Sequence, residues 1–182
     1  MEPDNTSVSR GTARWVAETL VMVAIAFFVA QAVRAYAVAP FIVPSESMVP
    51  TMKISDRFLA DRFTYRFVRE PKPGDIVVFD EPGGKRTFVK RVIATAGQQV
   101  DVRDGSVYVD GRRLDEPYTH GVPTDPGSID LPTTVPEGQV WLMGDNRTNS
   151  TDSRWFGTVP LSTVRGHAVA LYWPLSRVGA LH

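Results

Sequence analysis

From Trp15 to Tyr36 the chain reads WVAETLVMVAIAFFVAQAVRAY, and this stretch restricts the possible folds more than any other. About 22 mostly apolar residues, at 1.5 Å each, make a helix of roughly 33 Å, enough to cross a bilayer. In lipid a helix satisfies its own backbone within one segment, which an isolated strand does not. Leu20 to Val29 is apolar on every side, which favours a span over an amphipathic helix laid on a soluble core. Trp15 and Tyr36 suit the two interfacial belts, and Arg34 can snorkel outward. Glu18 and Gln31 are the polar interruptions. A secretory signal cut after Ala37 or Ala39 also has compatible spacing, although the apolar part is long for one. Arg10 and Arg14 lie in the polar stretch 1–14. They favour a cytoplasmic N-terminus, which would put residues 37–182 outside.

The chain has 182 residues, room for one domain beside that helix. Lys+Arg and Asp+Glu both number 20, so no basic footprint points to a nucleic-acid partner. Cysteine is absent, which removes disulfides, thiolate catalysis and cysteine-based zinc sites together. The histidines, His120, His167 and His182, have no metal-ligand spacing. No metal or cofactor is expected.

Beyond residue 52 the sequence reads as β. Residues 56–63 alternate in pieces, 75–80 form an apolar run between turn formers, and 86–94 return as a further strand. Asp104-Gly105 closes a hairpin of 100–103 with 106–109, and Asp110-Gly111 offers another turn. Residues 115–138, rich in Pro, Gly, Thr and Asp, read as a long loop, within an irregular excursion over about 103–138. Strands resume at 139–143 and 166–174. The expected fold is mainly β: an antiparallel sheet domain over 37–182 behind a transmembrane helix at 15–36.

Three stretches carry chemistry. In Pro44-Ser45-Glu46-Ser47-Met48-Val49-Pro50-Thr51-Met52, two serines sit one residue apart between prolines. If the segment is extended, Ser45 and Ser47 share a side, one placed to attack and the other to donate to an oxyanion. A Ser/Pro loop opening a domain is the plainer reading. Lys90 interrupts the apolar strand Phe88–Ile93, with Phe88 and Val92 on its own face. A strand lysine is usually solvated; against an apolar wall it would lose its proton readily and could accept one from a serine. Gly144–Arg154 is either a polar turn or a set of orienting groups. Ser150 could direct an amine, Asp152 could pair with Arg154, and Asp145 could hold the loop in the same way.

PSESMVPTM, GDIVVF with FVKRVI, and GDNRTNSTDSR occur in this order after one apolar helix. The chain resembles the bacterial type I signal peptidases over residues 15–176. That resemblance implies Ser47 as nucleophile and Lys90 as general base. Ser45 would serve the oxyanion hole with the Ser47 N–H, and Ser150 would orient the lysine. Asp145, Arg147, Asp152 and Arg154 would support the site. Small apolar substrate pockets would be lined by Phe41, Val43, Met48, Met52 and Val89. It further implies a β catalytic domain on the outer face of a bacterial cell membrane, with membrane lipid and preprotein signal peptides as partners. Cleavage would follow Ala-X-Ala-like segments bound as an added strand. Glu46 stands where glycine is usual, Thr148 replaces a more usual aspartate, and Ala94–Gln99 departs from the usual Gly/Pro-Gly-Asp.

Two other readings use the same residues. A tethered β-domain that holds extended peptides without cutting them needs the strand edge but no Ser47–Lys90 pairing. A self-cleaving regulator of the SOS-repressor type also uses Ser and Lys, but the hydrophobic anchor and the lack of a DNA-binding segment speak against it. His120 and His167 read as surface or packing residues.

Overall fold

The computed structural model describes residues 6–36, 38–81, 83, 84 and 86–182, with side chains for 14–31 and for the described residues from 38 onward. Expectations resting on Arg10, Arg34, Tyr36 and Ala37 lie outside the described residues or side chains. The chain divides into two units, Met1–Ala37 and Val38–His182.

The described residues of the first unit form one helix, α1 (Thr6–Tyr36). Its window Arg14–Gln31 has mean hydropathy 1.5 and none of it is buried, so by length and composition it can cross a membrane. Glu18 accepts from Arg14 Nε one turn away at 2.9 Å, so the acid near the start of the apolar run faces a guanidinium.

The second unit is antiparallel throughout. Its strands are β1 (Val38–Ile42), β2 (Arg57–Asp61), β3 (Ile76–Asp80), β4 (Thr87–Thr95), β5 (Gln99–Arg103), β6 (Ser106–Val109), β7 (Arg112–Arg113), β8 (Thr133–Thr134), β9 (Gln139–Met143), β10 (Val159–Pro160), β11 (Val164–Trp173) and β12 (Gly179–Ala180). The larger sheet runs β1-β2-β11-β3-β4-β9-β10, with β12 on β11; the smaller runs β7-β6-β5-β8. Both faces of β3 are covered, as its unbroken Ile-Val-Val-Phe run requires. Ile76 and Val78 enter one apolar cluster with Val43, Met48, Met52, Phe58 and Val89. Val77 and Phe79 enter another with Val92, Val140 and Leu142. Neighbouring residues point to opposite faces, so one strand serves two cores.

Residues 103–138 are less irregular than their composition suggests. Asp104 and Gly105 take positive φ of 49° and 72°, and Asp110 and Gly111 repeat this at 51° and 75°. Such pairs make the tight turn whose twist matches paired strands, so β5, β6 and β7 form a meander that β8 completes. Trp141, Ile93 and Ala94 pack with Val100 and Val107 of this small sheet and with Val135, just after β8. The irregular part narrows to the connection between β7 and β8. A four-residue helix, α2 (Ser153–Phe156), closes the third motif, where no helix was expected.

Candidate active site

The Pro44–Met52 segment joins β1 to β2 and is a bend followed by turns, not the extended run expected from its sequence. Met48 and Met52 anchor it, at 1% and 0% exposure. The Met52 N–H donates to the Met48 carbonyl at 2.8 Å. At its far end Arg177 donates to the Thr51 carbonyl at 3.0 Å and lies 3.1 Å from the Asp56 carboxylate. The serine hydroxyls still share a side, because the bend brings them there: Ser45 Oγ donates to Ser47 Oγ at 3.3 Å.

Lys90 lies on β4, opposite Val77 of β3. It is 3% exposed, and Ser47 is 9% exposed. Its Nζ donates to Ser47 Oγ at 2.7 Å, and the Phe88 ring lies 5.3 Å from that nitrogen. Burial lowers the Lys90 pKa to about 8; Asp152 and Asp145 oppose the shift, and Arg154 adds to it. Desolvation wins because the two carboxylates are neutralised by their own arginines.

Those arginine pairs build the third motif. Asp152 receives Arg154 Nε at 2.8 Å and Nη2 at 2.9 Å, caps α2 through the Arg154 N–H at 3.3 Å, and accepts the Gly144 N–H at 3.0 Å. Burial pushes the Asp152 carboxyl up, but these bonds outweigh it and hold the group below the usual range. Arg147 donates to the Gly144 carbonyl at 3.0 Å, to Thr124 at 2.9 Å and to Glu116. Asp145 takes Arg91 Nε and Nη2, each at 2.8 Å, and Thr51 Oγ1 at 2.5 Å. Gly144 and Asn146 lock this loop to the nucleophile segment. The Asn146 N–H donates to the Ser47 carbonyl at 3.0 Å. A Cβ on Gly144 would fall 2.3 Å from Ser150 Oγ and 2.4 Å from that same carbonyl.

Ser45, Ser47, Lys90 and the third motif therefore come together. Ser150 arrives at the site, but no hydrogen bond joins it to Lys90: its Oγ is buried and without a partner. Phe41, Val43, Met48, Met52 and Val89 form one packed patch beneath the nucleophile segment. Of these, Phe41 alone keeps appreciable surface, and it stacks on Phe58 at 5.6 Å. Glu46 is exposed and finds room outward, accepting from Asn149 Nδ2 at 3.1 Å. Thr148 donates to Asn146 Oδ1 at 3.2 Å. His167 lies elsewhere, against Tyr65 and 3.6 Å from Asp75.

Sequence reasoning passed over Arg91, Thr51, Glu116, Asp56 and Arg177. Arg91 had a legible signal: a guanidinium in an apolar strand, which must find a carboxylate if its face is buried. The others depended on contacts distant in sequence.

A buried serine beside a buried lysine is an arrangement that serine hydrolases use, and comparison with known proteins supplies the class. The sequence matches the family described as signal peptidase, peptidase S26, over residues 13–173. A probable signal peptidase I of Synechocystis sp. is 38% identical over 177 residues, spanning 92% of this chain and 88% of that one. The signal peptidase I of Mycobacterium tuberculosis is 34% identical over 228 residues, spanning 94% and 76%. A crystal structure of a signal peptidase I from Enterococcus faecalis gives a TM-score of 0.49 at 32% identity, covering 55% of this chain and 97% of that one. The chain belongs to the signal peptidase family and is a signal peptidase I hydrolase, a membrane-associated serine protease that cleaves signal peptides. That membership sets aside the non-cutting peptide binder and the self-cleaving regulator.

Proposed function

We propose that Ser47 is the nucleophile and Lys90 the general base, and that cleavage follows small residues in an Ala-X-Ala-like segment. One observation carries this reading: a desolvated amine with its pKa lowered to about 8 touches the Ser47 hydroxyl. Ser47 Oγ attacks the scissile carbonyl carbon while its proton passes to the neutral Lys90 amine. The Ser45 hydroxyl and the Ser47 N–H receive the developing oxyanion. The Lys90 ammonium then protonates the departing nitrogen as the C–N bond breaks. Water, losing its proton to Lys90, next attacks the acyl carbon and releases Ser47.

Ser150, whose buried Oγ has no other partner, orients the Lys90 amine in this scheme, and Asp145, Arg147, Asp152 and Arg154 hold the two loops in register. Small residues before the cut rest on the patch of Phe41, Val43, Met48, Met52 and Val89, where an Ala-sized space excludes bulk. Residues 15–36 cross a bacterial cell membrane once, 1–14 stay in the cytoplasm and 37–182 work outside, next to membrane lipid. The test is to incubate the detergent-solubilised protein with an Ala-X-Ala preprotein and sequence the new N-terminus. Loss of cleavage in both Ser47→Ala and Lys90→Ala, with retention in His167→Ala, supports the reading; activity in Lys90→Ala overturns it.

A further inference from the structure

Between the two serines, Glu46 is the one charged residue of the Pro44–Met52 segment. The charges of the facing loop are all spent on partners of opposite sign: Asp145 on Arg91, Arg147 on Glu116, and Asp152 on Arg154. Those side chains are buried. Glu46 differs in both respects. It is exposed, and its carboxylate partner is the neutral amide of Asn149, at 3.1 Å. Its carbonyl is held as well, accepting from the Val49 N–H at 3.0 Å and from Asn146 Nδ2 at 3.2 Å. A carboxylate is thus fixed, without a cationic partner among the described residues, and open to solvent within one residue of Ser47.

We propose that Glu46 is a specificity-determining residue that selects for basic, and against acidic, side chains in the first residues after the cut. The inference rests on Ser47 being the nucleophile. The apolar patch packs with the nucleophile segment and reaches solvent chiefly at Phe41, so the small residues before the cut approach from the Phe41 edge. The departing segment leaves over the solvent side, where Glu46 and Asn149 form the rim. An extended peptide advances about 3.3 Å per residue. Its first two side chains after the cut therefore pass within about 8 Å of the rim, one Debye length at physiological salt. A charge at that distance, partly screened by water, changes relative rates by roughly threefold to tenfold between lysine and aspartate.

The experiment uses the full chain in detergent and three matched preproteins carrying Lys, Gln or Asp at the second residue after an Ala-X-Ala site. The quantity read is the ratio of kcat/KM for Lys to that for Asp. About threefold to tenfold is expected at low salt, falling toward one in roughly 1 M salt. Glu46→Gln keeps an oxygen for Asn149 and should bring the ratio to about one. A purely structural Glu46 would change all three rates together and leave the ratio where it was; that result overturns the proposal. Cleavage of the Gln substrate that disappears in Ser47→Ala, together with a ratio near one in the wild type, overturns the role of Glu46 alone. Cleavage that persists in Ser47→Ala overturns both readings.

Discussion

The Lys90 amine and the Ser47 hydroxyl meet across 2.7 Å, although the two residues lie 43 positions apart in the chain. Only the neutral amine can take a proton, and burial sets its pKa at about 8. The rate should therefore rise about tenfold per pH unit below that value and level off above it. A pH profile of kcat/KM on one preprotein measures this. A profile flat from pH 6 to 9 would remove Lys90 from the reaction.

The same burial bears on stability. Lys90 ordinarily titrates at 10.5 and here at about 8. Between these values the unfolded chain holds a proton that the native state has shed, so this contribution to stability climbs with pH across that window. Below about 8 the native state carries the full cost of a buried ammonium. Lys90→Met should accordingly stabilise the protein by about 1–3 kcal/mol at pH 7, at the expense of activity, with the gain vanishing near pH 10. Thermal unfolding in detergent at the two pH values measures the difference.

Gly144 sits where the third motif touches the nucleophile segment. A Cβ there would fall 2.4 Å from the Ser47 carbonyl, which is backbone and cannot swing away. Gly144→Ala should lower kcat by about 10²-fold through displacement of Ser47, with the cost in stability at about 1–3 kcal/mol. Single-turnover kinetics beside a melting curve separates the two effects.

Asp145 and Arg91 form a buried pair at 2% or less side-chain exposure. Asp145→Asn leaves the guanidinium without its counter-charge and should cost about 3–5 kcal/mol, measured by denaturant titration. Thr51, on the nucleophile segment, loses its acceptor in the same variant, so activity should fall ahead of global unfolding.

Much of this architecture is legible in the residues themselves. Ile76–Phe79 has too few polar positions to face water on either side, and Asp104-Gly105 can make only a few kinds of turn. The convergence of Ser45, Ser47 and Lys90 is implied by residue types suited to one chemistry. The small sheet is harder to see, because β7 and β8 are two residues each, too short to show a period, and are set by pairing with β6 and β5. Likewise, Thr51, Glu116 and Arg177 become informative only once folding has brought distant segments together. Ser45 and Ser47 show a right outcome from an incomplete reason: strand alternation was expected to align them, and a bend does so.

Val89, Lys90 and Arg91 occupy successive places on β4 and meet unlike surroundings: an apolar patch, a serine and a carboxylate. Slippage of that strand by a single place would offer Ser47 either a hydrocarbon or a guanidinium that never gives up its charge. Under the proposed mechanism misassembled copies would therefore be inert, and the protease would gain its cutting power only by its own correct folding.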